Sequence, residues 1–148
     1  MPEFTVDFPK DLLERLDDFT KGYLVCALWA SPGEGEDETL DKYGIEDIDP
    51  ATIEEIEKEC KDFQEKHSHH LDIICNKIKH MRTQGKMVSG YPPMELCGHD
   101  FFLTRNGHGA GFWDRGYGEV GEEISQICRS GYGECSLYVG DDGRLYCE

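Results

Sequence analysis

The sequence predicts an α+β fold, N-terminal helices packed on a small, mainly antiparallel sheet, in the order αα-ββαββ. Three observations lead there. Apolar residues recur every three or four positions through 9–31 and again through 50–78, the spacing of a buried helix face. Asn106-Gly107 and Asp142-Gly143 sit between short apolar runs, and such pairs tolerate the positive φ of a hairpin turn. At 148 residues the chain suits one domain with a real core, not two. The expected domain is 1–148, with a helical half at 1–83 and a ββαββ half at 94–148.

Pro9 to Ser31 reads as the first helix. Asp7 suits its cap and Pro9 its first turn. Leu12, Leu13, Leu16, Phe19, Tyr23, Leu24, Ala27 and Leu28 form the buried stripe. Gly22 weakens the middle by roughly 1 kcal/mol against Ala and marks a place for a kink. Ser31-Pro32-Gly33 stops the helix, and Glu34 to Thr39 follows as an acidic loop. Leu40 to Asp49 reads as irregular, with Tyr43 and Ile45 tucked onto the core.

Asp49-Pro50 then opens a long helix as cap and first residue. Ile53, Ile56, Cys60, Phe63, His67, Leu71, Ile74 and Ile78 keep one face over about seven turns. The two helices are expected to pack as an antiparallel pair. Lys77, Lys79, Arg82 and Lys86 near the end offset the helix dipole. Gln84 to Pro93 reads as a joining loop.

Residues 99–115 carry the greatest chemical variety in the chain. Asp100 to Arg105 reads as a strand, Asn106-Gly107 as its turn, and Ala110 to Asp114 as the returning strand. Polar groups gather near the tip and aromatics along the body. Gly116-Tyr117-Gly118-Glu119-Val120-Gly121 matches G-x-G-x-x-G. The strand before it reads antiparallel, and Glu119, Glu122 and Glu123 crowd the place of a pyrophosphate, so it reads as a tight turn with close helix packing. Val120 to Arg129 is a short helix facing Val120, Ile124, Ile127 and Cys128 inward. Leu137-Tyr138-Val139 and Arg144-Leu145-Tyr146 close the chain as a hairpin around Asp141-Asp142-Gly143.

Charge and cysteine usage bound the chemistry. The net charge is −16, and residues 1–66 hold 20 Asp and Glu against 7 Lys and Arg. Such a field repels nucleic acid and anionic membrane and attracts basic protein surfaces. No run approaches the ~20 apolar residues of a membrane span, and no basic-then-apolar leader opens the chain. The seven cysteines are odd in number and widely spaced, which argues against a disulfide framework, and the sequence does not say whether they are more than small apolar fillers. No C-x-x-C occurs. His67 and His70 have the interval of a metal-binding pair, but further ligands are missing. No metal and no cofactor is predicted.

The candidate ligand-binding residues are Arg105, Asn106, His108, Trp113, Asp114 and Arg115. The candidate partner-binding residues are Glu54, Glu55, Glu57, Glu59 and Asp62. A hydrolase would use His108 as base, Asp114 to orient it and Arg105 to hold an anion. No serine or cysteine sits in a recognisable nucleophile setting, so no catalytic residue is assigned and a non-catalytic protein is expected. The structural alternative pairs Arg105 with Asp114 across the strands and gives Asn106 to the turn.

The stretch GHDFFLTRNGHGAGFWDRG, with GYLVCALWAS, LDKYGIEDIDPATIEEIEKECKDFQ and LYVGDDGRLY, resembles a family of small proteins encoded by tailed bacteriophages and prophages. The likeness covers nearly the whole chain. It implies a phage origin and the bacterial host cytoplasm, and it brings no established activity with it. The chain departs from the family pattern in its many cysteines and at Phe102, where tryptophan is usual.

Resemblance and acidity together predict a small accessory protein that binds and inhibits a host nucleic-acid-handling or defence protein with a basic surface. Carboxylates along Asp41 to Asp62 approach the spacing of DNA charge, one per ~1.7 Å of axis, which would make the protein a DNA mimic. The alternative is a nucleotide-like anion in a pocket of Trp113, Phe112, Tyr117, Arg105 and His108. A small enzyme at the same place is the third expectation.

Overall fold

The computed structural model describes residues 9–31, 43–86, 91–108 and 110–147. Asp7, the Pro32-Gly33 stop, the acidic loop Glu34 to Thr39, Asp41 and Gly109 lie outside them. Among the described residues are six α-helices and one two-stranded antiparallel sheet. This corrects the predicted α+β layering. The fold is helix-dominated, and the sheet is a C-terminal hairpin, not a surface on which helices pack.

The first predicted helix is two: α1 (Lys10–Arg15) and α2 (Asp18–Ala30). The break falls at Leu16-Asp17 and not at Gly22. Asp17 takes extended backbone and its carboxylate accepts the Thr20 N–H at 2.9 Å, so an N-cap forms within the apolar stripe. α2 then buries Phe19 through Leu28 apart from Lys21, the mark of a central helix.

The long second helix is also two: α3 (Pro50–Lys66) and α4 (Ser68–Thr83). Asp49 caps α3 by accepting the Thr52 N–H at 3.3 Å. His67, at φ −124° and ψ 28°, interrupts the helical backbone. Its N–H still donates to Phe63 O and its carbonyl still accepts from Leu71 N. The stripe from Ile53 to Ile78 therefore stays buried across the break, and its period could not reveal the interruption.

The largest correction is α5 (Pro93–Arg105). The predicted strand Asp100 to Arg105 forms its last turns. Pro93 suits the first helical position, where its missing N–H costs nothing. Cys97, Gly98 and all of 100–105 are buried. With partners on every side there is no apolar stripe, and Phe101-Phe102-Leu103 imitates a strand. Asn106-Gly107 ends this helix. Gly107 has φ +68°. Its N–H donates to Thr104 O at 3.2 Å, and the His108 N–H to Leu103 O at 3.0 Å. That is a Schellman cap, which needs the same left-handed residue as a hairpin turn. The predicted return strand is a 3-10 turn, Phe112–Asp114.

α2 and α5 cross at backbone contact. A Cβ on Gly22 would lie 2.1 Å from the Glu95 carbonyl oxygen, and one on Gly98 would lie 1.9 Å from that of Phe19. Around this crossing Phe63 stacks on Phe101 at 4.2 Å, and Tyr23 meets Phe102 edge-on at 5.3 Å. α6 (Glu119–Gly131) covers the core with Val120, Ile124 and Cys128. The glycine-rich stretch before it is a turn, and a Cβ on Gly121 would sit 2.8 Å from Phe112 O.

β1 (Leu137–Val139) and β2 (Leu145–Cys147) pair Tyr138 with Tyr146 around Asp141-Asp142-Gly143, where Gly143 has φ +80°. The hairpin is tied down at both ends. Leu137 N–H donates to Ser31 Oγ at 3.0 Å, and Asp49 N–H to Leu145 O at 2.9 Å. Cys135 and Cys147 are disulfide-bonded, a pairing the odd, wide cysteine spacing did not predict. No helix of the described residues is long and apolar enough to cross a membrane.

Candidate functional site: a cleft at Arg115

The six candidate ligand residues do not converge. Arg105 lies at the end of α5 with its side chain 5% exposed. Its Nη1 sits 2.9 Å from Glu59 Oε2 and donates to Tyr23 Oη at 3.3 Å, while Nε donates to Gly133 O at 2.9 Å. The guanidinium also faces the rings of Phe101 and Tyr132. The predicted Arg105–Asp114 pair does not form. Asp114 instead accepts the Gly111 N–H at 3.0 Å. Asn106 donates to Phe102 O and Cys135 O and accepts the Cys135 N–H at 2.7 Å. It joins the α5 cap to the chain entering β1. Trp113 is exposed on the 3-10 turn.

His108 and Arg115 do share a site. A cleft of about 460 Å³ is lined by Trp29, Ala30, His99, Leu103, His108, Ala110 and Arg115. Arg115 is its fixed cation. Nε and Nη2 donate to Asp100 Oδ1 at 3.2 and 2.9 Å. Asp100 lies in the interior, 1% exposed. Burial pushes its carboxyl up to about 6, against the pull of Arg115. The carboxylate holds the guanidinium in place while Nη1 has no hydrogen-bond partner among the described residues.

His99 forms the inner wall. Its Nε2 is buried with no hydrogen-bond partner among the described residues, and its ring lies 5.3 Å from that of Tyr91. Burial, then the nearby Arg115 charge, lower its pKa to about 4, so the imidazole is neutral at pH 7. A neutral imidazole with an unpartnered nitrogen can donate or accept according to its tautomer. Trp29, 41% exposed at the end of α2, supplies an aromatic wall.

Arg115 also borders a second, larger groove of about 830 Å³ over α4, where Asn76, Lys77, His80, Lys86 and Gly116 contribute. Among the described residues no carboxylate lines it, and Lys77, Lys86 and Arg115 give it positive side chains on a strongly acidic chain. Lys77 and Lys86 thus line a groove beside Arg115, while the basic residues in the last turn of α4 are His80 and Arg82. Arg82 is turned elsewhere, its Nη2 donating to Tyr91 O.

Trp29 and His99 escaped sequence reasoning. Trp29 stands off the stripe of Leu24, Ala27 and Leu28, and a tryptophan off the buried face was the available signal. His99 opens the varied stretch 99–115, but as a residue preceding an expected strand it is not among the candidate ligands.

The acidic row is partly absorbed by the fold. Glu57 meets Arg15 and Lys61, both at 3.5 Å. Glu59 meets Arg105. Asp62 meets Lys66 at 3.1 Å and accepts from Tyr132 Oη at 2.9 Å. Glu54 and Glu55 are exposed, and Lys58, Lys61 and Lys66 are exposed on the same helix. His67 packs on Phe63 at 5.1 Å, and His70 Nε2 lies 3.1 Å from Glu123 Oε2. Among the described residues no group of three or more His, Cys, Asp and Glu is placed to hold a metal.

No protein-family model, curated protein or solved structure matches the chain.

Proposed function

We propose that the protein is a non-catalytic binder of a small, ring-bearing anion, nucleotide-like in chemistry, seated in the cleft at Arg115. The observation that carries this is Arg115 itself. A buried carboxylate fixes its guanidinium between an aromatic-walled cleft and a groove lined by Lys77, His80 and Lys86. A ring against Trp29 and His99 uses aromatic and imidazole faces, and phosphate oxygens use the cations. The cleft volume falls within the usual ~300–1,000 Å³ of small-molecule sites. The chemistry supports binding over turnover, because among the described residues lining the cleft there is no serine, threonine or cysteine to pair with a base.

Tryptophan fluorescence tests it. Titration with AMP, ATP and a cyclic dinucleotide should quench Trp29, and the response should vanish in Trp29→Phe and Arg115→Met but survive in Trp113→Phe. A flat signal with all three ligands overturns the reading.

A second reading is favoured by the exposed Glu54 and Glu55 and by the net charge of −16. On it, the protein is a phage-type accessory factor in the bacterial cytoplasm that inhibits a host nucleic-acid-handling or defence protein through a basic surface. The lysines interleaved along α3 limit the likeness to a row of DNA phosphates.

A further inference from the structure

Away from the cleft, three sulfur atoms meet where α4 packs on α5. Met94 and Cys97 are three residues apart on α5 and therefore neighbours on one helix face. Cys75 comes across from α4. Its Sγ lies 3.5 Å from Met94 Sδ, and the Cys97 thiol is its neighbour, lowering the Cys75 pKa while its own is raised. Cys97 is 1% exposed, whereas Cys75 and Met94 are half-buried. The cluster thus has a closed floor and an open mouth.

We propose that Cys75, Cys97 and Met94 form a trigonal site for a soft monovalent metal ion, cuprous copper being the physiological candidate. Thiolate and thioether sulfur select soft ions. Zinc wants four nitrogen, oxygen or thiolate ligands and does not take a thioether. Among the described residues no histidine or carboxylate completes such a set here. Binding one Cu⁺ releases two thiol protons and leaves a site of net charge −1, with no change of oxidation state. Lys79, one turn beyond Cys75, favours the thiolate, and Asp72 opposes it. The other free thiols, Cys26, Cys60 and Cys128, are buried in the core, where burial pushes each thiol up.

The test is an anaerobic titration with cuprous ion, supplied as its acetonitrile complex against bicinchoninate. No thiol reductant is added, so the Cys135–Cys147 disulfide stays closed. One equivalent should be withheld from the chelator. Cys75→Ser, at a half-buried position, should release it, as should Cys97→Ser. X-ray absorption at the copper edge should show sulfur-only scattering, with one scatterer fewer in Met94→Leu. Copper retained undiminished by folded Cys75→Ser, or lost to the chelator by the wild-type protein, overturns the proposal.

Discussion

Arg105 and Arg115 are ten residues apart and do opposite things. Arg105 is enclosed. Its Nε and Nη1 are taken by Glu59, Tyr23 and the Gly133 carbonyl, and two aromatic rings pack against its guanidinium. Arg115 is held from one side only, by a carboxylate deeper than itself, and borders two open cavities. An arginine is free for a ligand when its anchor is buried and its far side is not lined by protein acceptors. Identity and neighbouring sequence do not distinguish the two cases.

The interior side of this comparison breaks most readily at the helix crossing. Gly98→Ala puts a methyl group on the Phe19 carbonyl, which is backbone and cannot rotate away. It should cost about 3 kcal/mol or more, read as a fall in the urea midpoint. A loss below about 1 kcal/mol would mean that α2 and α5 cross less closely.

Next in size comes the pair of arginine substitutions. Arg105→Met strands Glu59 and the Gly133 carbonyl and should cost about 2–3 kcal/mol, discounted because Glu59 is partly exposed. Ligand-induced quenching of Trp29 should persist in the folded fraction. Arg115→Met should reverse the weighting, with a smaller loss of stability and no quenching. If Arg105→Met alone abolished ligand response, the site would have to be moved to the α5 terminus.

How far the sequence went follows from the same contrast. Where an element is buried on one face, as in α3, α4 and α6, the apolar period was legible and the helices stand. Where it is buried all round, as in α5, the period vanishes and Phe101-Phe102-Leu103 reads as strand. Asn106-Gly107 then compounded the error, because hairpin turns and helix caps ask for the same positive φ. Asp142-Gly143, flanked by short alternating strands, was read correctly. The breaks at Asp17 and His67 were hidden because the stripe continues through each. Of the cleft, His108 and Arg115 were legible as unusual residues. Trp29 and the anchoring role of Asp100 come from parts of the chain that only the fold brings together.

A smaller effect tests the electrostatics of the cleft. His99 is lowered to about 4 from an ordinary value near ~6.5. Its contribution to stability is therefore present above pH 6.5 and is lost as pH falls through about 4. Asp100 is raised to about 6, and its contribution runs the other way, present at low pH and lost as pH rises through about 6. Between these limits the two oppose each other. His99→Phe removes one of them, so acidification from pH 6.5 to 4 should stabilise the variant relative to the wild-type protein. Parallel pH profiles of the urea midpoint would reject the assignment, as would a wild-type His99 proton resonance that titrates near 6.5.

The smallest structural effect belongs to the surface. Glu54→Lys with Glu55→Lys reverses two exposed charges on α3, and the urea midpoint should barely move, since neither carboxylate is built into the core. Reversing Glu59 cannot serve the same purpose, because it also strands Arg105. A tagged wild-type protein, drawn from bacterial lysate at low and high salt, should retain a nucleic-acid-handling or defence protein only at low salt if the acidic surface recognises a partner. The double reversal should then lose that protein while Trp29 still responds to ligand at Arg115. A partner retained by the reversed protein would place recognition elsewhere on the chain. Loss of the ligand response together with the partner would mean that cleft and acidic helix act as one surface, although Arg115 and Glu54 belong to different elements of the fold.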